Sequence, residues 1–224
     1  MKIKLTFLGF LVATTLSAQV ATTSYTNNPN VIITDGSPIG VANQLTVSGS
    51  LGLISSVSVN LDITGGFNGD LYAYLLGPEG QMVVLLNRVG LSGTSDIGYG
   101  DSGFNITLTD GASNIHNYQS GAYSISAGQL GGTWAPDGRI NDSLVLPASS
   151  FDSTSPSEFL SVFSGGSANG NWELFVSDLS NGGQSTLVSW GLTIATVPEP
   201  SSFACLIFAA LGILALRVRA RVRN

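Results

Sequence analysis

Ser56-Val57-Ser58-Val59-Asn60-Leu61-Asp62-Ile63 alternates polar and apolar side chains without a break. Successive side chains on a β-strand point to opposite faces, so this period of two predicts a half-buried strand with Val57, Val59, Leu61 and Ile63 turned inward. The apolar pattern extends back to Ile54, and similar short runs recur at residues 44–48, 70–76, 82–87, 104–108, 144–146, 172–177 and 185–194. Clusters of Gly, Asn and Asp separate them. Asn181-Gly182-Gly183 marks a tight turn before the last run, because glycine and asparagine tolerate the positive φ that such turns need. No stretch predicts a long helix, and no repeat of 20–50 residues is visible. The expectation is one all-β domain over residues 24–196, built as a sandwich or barrel of about eight short strands.

The two ends read differently. Lys2 and Lys4 precede an apolar run over residues 5–12, and small residues follow to Ala18. That order predicts a secretory signal peptide over residues 1–18, with cleavage after Ala18 and Gln19 as the new terminus. The run is too short to cross a hydrocarbon core of about 30 Å. Leu16, large for the third position before the cut, leaves the bond itself open; the competing reading is a buried first element of the domain. At the other end Val197-Pro198-Glu199-Pro200 interrupts regular structure, since each proline fixes φ and removes a backbone donor. A largely apolar stretch, 201–216, leads to Arg217, Arg219, Arg221 and Arg223. As a helix it would be a little short for a permanent anchor. By the positive-inside rule the arginines and the N-terminal lysines stay cytoplasmic, which puts the domain outside.

Charge supports that placement. Of the eight basic residues six lie in the terminal segments, which leaves Arg88 and Arg139 facing thirteen of the fourteen acids between Gln19 and Val197. Nucleic-acid binding is excluded on this count, because neutralising phosphates needs a basic surface. The single cysteine, Cys205, lies in the apolar tail, so no intrachain disulfide and no cysteine-rich zinc cluster can form. Stability must then come from a hydrophobic core.

Pro198-Glu199-Pro200, a following hydrophobic segment and a terminal arginine cluster together resemble the PEP-CTERM sorting signal. The resemblance covers residues 197–224 and implies processing by a membrane-embedded exosortase after Sec-dependent export. It also implies a Gram-negative bacterium, passage through an inner-membrane intermediate held by the C-terminal helix, and a final place at the cell surface or in an extracellular matrix. The competing reading is an ordinary single-pass tail anchor. Within the domain, Gly69-Asp70-Leu71, the run to Leu76-Gly77-Pro78-Glu79-Gly80 and Val83 to Leu86 resemble the core of the proprotein-convertase P domain (P/Homo B). Gly170-Asn171-Trp172-Glu173-Leu174-Phe175-Val176-Ser177-Asp178 and Leu187-Val188-Ser189-Trp190-Gly191-Leu192 are similar to that family's closing motifs. The likeness implies a jelly-roll β-sandwich, a module that in proteases accompanies a separate catalytic domain.

No catalytic domain is legible in this chain. The one histidine, His116, follows Asp110 by six residues, and no nucleophile-elbow motif surrounds any serine. Calcium is the better-matched chemistry, because it takes six to eight oxygen ligands and the turns supply them. Asp70 and Asp178 are the first candidates and Asp96 and Asp101 the next; the alternative for the first pair is capping of nearby backbone N–H groups. Trp172 and Trp190 are expected in the core. Trp134, in a loop downstream of Tyr118 and Tyr123, either stacks on a sugar or plugs the end of the sandwich. The expected function is a non-enzymatic extracellular structural or adhesive module. Its alternatives are a module binding carbohydrate or extracellular polysaccharide, and an accessory domain of a protease system or hydrolase.

Overall fold

The computed structural model describes residues 19–92, 95–140, 159–198 and 211–212. Eleven strands form among them: β1 (Ala21–Asn27), β2 (Val31–Ile33), β3 (Ser37–Val47), β4 (Leu53–Gly65), β5 (Leu71–Leu76), β6 (Met82–Asn87), β7 (Gly103–Leu108), β8 (Ile125–Ser126), β9 (Gln129–Trp134), β10 (Gly170–Asp178) and β11 (Ser185–Val197). Short 3-10 turns at Asn68–Asp70, Ile115–Ser120 and Leu160–Phe163 are the remaining regular elements of the sandwich. The strands make two sheets, one in the order β1-β11-β4-β7-β9-β8 with β2 also on β11, the other β3-β10-β5-β6. Pairing is antiparallel except between β7 and β9, which run parallel.

The alternating octapeptide lies inside β4, and Val57, Val59, Leu61 and Ile63 are all buried as the period of two requires. β4 sits between β11 and β7, so its inner face meets the opposite sheet across one continuous core. Leu71, Ala73 and Leu75 of β5, Trp172, Leu174 and Val176 of β10, and Trp190, Leu192 and Ile194 of β11 complete that layer. Trp172 and Trp190 are among the largest fully buried side chains, and each indole N–H has a partner: Ala168 O at 2.9 Å and Asn43 Oδ1 at 2.6 Å. Buried aromatic area of this size supplies much of the stability that a chain without disulfides needs.

Some elements differ from the sequence expectation. β1 and β2 arise from segments with little alternation, and β1 is an exposed edge strand whose only ladder partner is β11. β9 replaces a predicted loop, because Gly131 and Gly132 remove the side chains that would have shown a strand. Trp134 is its last residue. The strand expected at 144–146 lies outside the described residues, as do the predicted signal peptide, Glu199, Pro200 and the four terminal arginines. Of the apolar tail only Leu211 and Gly212 are described, and they are helical. Among the described residues no helix is long and apolar enough to cross a membrane. Val197 ends β11, where Pro198 has no N–H to continue the ladder.

Candidate functional site

The Gly69-Asp70-Leu71 motif builds one end of the sandwich. Its 3-10 turn, Asn68–Asp70, is buried and covered by the loop 95–101, whose carbonyls accept its amides: Gly69 N–H donates to Tyr99 O (2.8 Å) and Asn68 N–H to Asp101 O (2.9 Å). The approach is so close that a Cβ on Gly69 would sit 2.3 Å from Ile97 O, which explains the glycine. Arg88, at φ 49°, is buried beneath the same loop. Its Nε donates to Gly69 O (3.1 Å), and its Nη2 donates to Asp96 O (3.4 Å) and stands 3.9 Å from Asp70 Oδ1.

β10 ends at Asp178, opposite Leu71 on β5, and Leu179 N–H donates to Asp70 O at 2.8 Å. The ladder between β5 and β10 therefore brings Asp70 and Asp178 to the same end, and the charge of Asp178 is felt at Asp70. Burial, then repulsion from Asp178, raises the Asp70 carboxyl to about 6; Arg88 offsets part of the effect and Asp35 adds to it. The Asp178 carboxyl is raised as well, first by burial and then by Asp35, against the lowering influence of the nearby Ser180 and Gly36 amides and the Ser185 hydroxyl. Ser180 N–H reaches Oδ1 at 3.3 Å, while Oδ2 is buried and neither the Gly36 amide nor the Ser185 hydroxyl meets it in hydrogen-bond geometry. Capping thus accounts for only one oxygen of this carboxylate.

A pH dependence follows for the metal-free protein. Below the unfolded pKa, near 3.8, Asp70 is protonated in both states and contributes nothing. As pH rises toward 6 the unfolded chain gives up its proton first, so stability falls by about 2–3 kcal/mol and stays lower above 6. Urea unfolding in EDTA should show this loss between pH 4 and pH 6.5, and Asp70→Asn should flatten it. An unchanged slope in Asp70→Asn would contradict the assignment.

The other two sequence candidates are placed differently. Asp96 contributes its backbone carbonyl to Arg88, and Asp101 Oδ2 accepts from Tyr118 Oη (2.6 Å) and Gln119 Nε2 (2.7 Å). Tyr118 is itself buried, and burial together with Asp101 pushes its hydroxyl well above the ordinary tyrosine range. Its ring packs against Tyr99, Tyr123 and Trp134 at centroid separations of 4.6, 5.6 and 6.1 Å. Trp134 exposes only 7% of its surface, and its indole N–H donates to Gly131 O at 3.0 Å. Beside it a shallow hollow of about 420 Å³ is lined by Ser113, Tyr123, Ser124 and Gly131 to Trp134. Tyr123, rather than Trp134 or Tyr118, is the exposed ring of this group.

His116 belongs to a buried ionic cluster that the sequence reading missed. Its Nδ1 lies 2.7 Å from Asp137 Oδ2 and its Nε2 lies 3.0 Å from Leu91 O, while Arg139 Nη1 donates to Asp137 Oδ1 at 2.8 Å. Both ring nitrogens are turned toward buried protein oxygens, so neither faces a substrate. Asp110, the acid that sequence proximity suggested, instead accepts from the Leu160 and Ser161 amides and caps the 160–163 turn. The domain's only two cations, Arg88 and Arg139, are both buried, each near an aspartate. All its exposed formal charge is therefore acidic.

Comparison with known proteins adds one family and one group of structures. The proprotein convertase P-domain family matches residues 136–194, a span that contains Asp137, Arg139, β10 and most of β11. No curated protein matches the chain in sequence. Among solved structures, that of the Aeromonas sobria serine protease with its chaperone is 16% identical at a TM-score of 0.44, over 81% of this chain and 28% of that one. The structure of the Aeromonas sobria serine protease alone is 15% identical at a TM-score of 0.43, over 80% of this chain and 27% of that one. This chain thus spans just over a quarter of the length of the chains it matches.

Proposed function

We propose that this chain is an exported, non-catalytic β-sandwich module with a structural or adhesive role at a bacterial surface or in its surrounding matrix. The observation that carries the non-catalytic part is the internal use of the chain's one histidine: His116 is buried against Asp137, which Arg139 also engages. Export rests on the order of the terminal segments: a leader with Lys2 and Lys4, then the domain, then Pro198-Glu199-Pro200, an apolar stretch and four arginines. On this reading the Sec machinery and an exosortase handle the precursor, and the C-terminal helix holds it in the inner membrane until it is processed.

A second reading is favoured by the P-domain match at residues 136–194: the sandwich serves as an accessory module for a protease supplied by another chain. The two separate in one set of assays on the purified protein. The structural reading expects no turnover of peptide, ester or glycoside substrates and retention on extracellular polysaccharide from the producing cells. Tight, saturable binding to a subtilisin-like protease of the same cells would favour the accessory reading. Hydrolysis that disappears in His116→Ala would contradict both.

A further inference from the structure

We propose that Asp70 and Asp178, where β5 begins and β10 ends, form a calcium site. The proposal goes beyond the functional reading above and stands or falls separately from it. Two observations carry it. The first is that the pairing of β10 with β5 sets two buried carboxylates at one end of the sandwich, with Asp35 close enough to add its repulsion. The second is that Asp178 Oδ2 is fully buried and that no donor, the nearby Gly36 amide and Ser185 hydroxyl included, meets it in hydrogen-bond geometry. A buried anionic oxygen without a donor costs several kcal/mol, and proteins rarely retain one unless a cation or proton meets it.

The cation already present does not meet that need. Arg88 is 3.9 Å from Asp70 Oδ1, beyond hydrogen-bond reach, and its Nε and Nη2 donate to the carbonyls of Gly69 and Asp96. The donor chemistry then selects the metal. Side chains here offer oxygen alone, which disfavours zinc, whose sites are built on thiolate and imidazole. Calcium accepts carboxylates, carbonyls and water in a flexible shell, whereas magnesium demands near-octahedral geometry and holds its own water.

Affinity should be modest. Among the described residues no group of three or more His, Cys, Asp or Glu side chains gathers as a metal cage. With two carboxylates at its centre, the site belongs with extracellular modules that bind calcium at about 10⁻⁴–10⁻³ M. That range suits a domain exposed to calcium outside the cell.

The experiment is calorimetric titration of the whole protein with calcium chloride at pH 7.5, alongside thermal melts in EDTA, 10 mM calcium and 10 mM magnesium. The expected result is one site with a Kd of about 10⁻⁴–10⁻³ M and a calcium-specific rise in Tm of several degrees. Asp70→Asn should lose that rise, while Asp96→Asn should keep it. No heat up to 10 mM calcium, an equal response to magnesium, or an undiminished rise in Asp70→Asn would overturn the proposal. Should Asp70→Asn fail to fold, the wild-type titration and the magnesium comparison still decide.

Discussion

Replacing Asp137 by alanine is expected to destabilise the domain by about 3–5 kcal/mol, because it leaves two partners buried without their shared acceptor. Asp137 is fully buried between His116 and Arg139, at 2.7 and 2.8 Å, and neither partner can turn to water without unpacking the site. The same residue anchors backbone: Asp137 N–H donates to Leu85 O and Gly138 N–H to Val84 O, which covers the free edge of β6. For a domain of this size the loss corresponds to a fall in Tm of roughly 10 °C. His116→Ala should cost less, since Arg139 still neutralises Asp137. Urea unfolding followed by tryptophan fluorescence measures both, and a loss below about 1 kcal/mol in Asp137→Ala would show that the cluster does not hold the edge.

Trp172→Ala should have an effect of similar size, about 3–5 kcal/mol, through a cavity rather than a charge. The ring is completely buried, meets Phe163 edge-on at a centroid distance of 4.9 Å, and bonds Ala168 O through its indole N–H. It ties β10 to the 160–168 segment. Amide exchange at residues 160–168 should therefore rise along with the fall in global stability. Exchange unaltered there would mean that the segment is held by other contacts, such as the Asp110 cap on Leu160 and Ser161.

How far the sequence reveals this arrangement depends on the kind of signal involved. β4, β5, β6, β7, β10 and β11 carry apolar or alternating runs, and those runs are what the core selects, so these strands were legible. β1 was not, because an exposed edge strand buries too little to leave a pattern. β9 was hidden by its glycines, and with it the true setting of Trp134. At the candidate site, Asp70 and Asp178 could be named as turn residues, but only the β5–β10 pairing shows that they meet. The His116–Asp137–Arg139 cluster was invisible for a further reason: its members are 21 and 2 residues apart, and nothing local marks Asp137 as the partner in place of Asp110. The one available hint was scarcity, since a domain with two arginines and thirteen acids must spend those arginines where a cation is needed.

The central claim, export followed by sorting of a non-catalytic sandwich, is tested most directly by the intact mass of the protein recovered from the envelope and medium of its own cells. The account predicts a species lacking the first 18 or so residues and everything beyond the Pro198-Glu199-Pro200 region. A mass that retains the apolar stretch and the four terminal arginines would contradict sorting and leave a tail-anchored envelope protein.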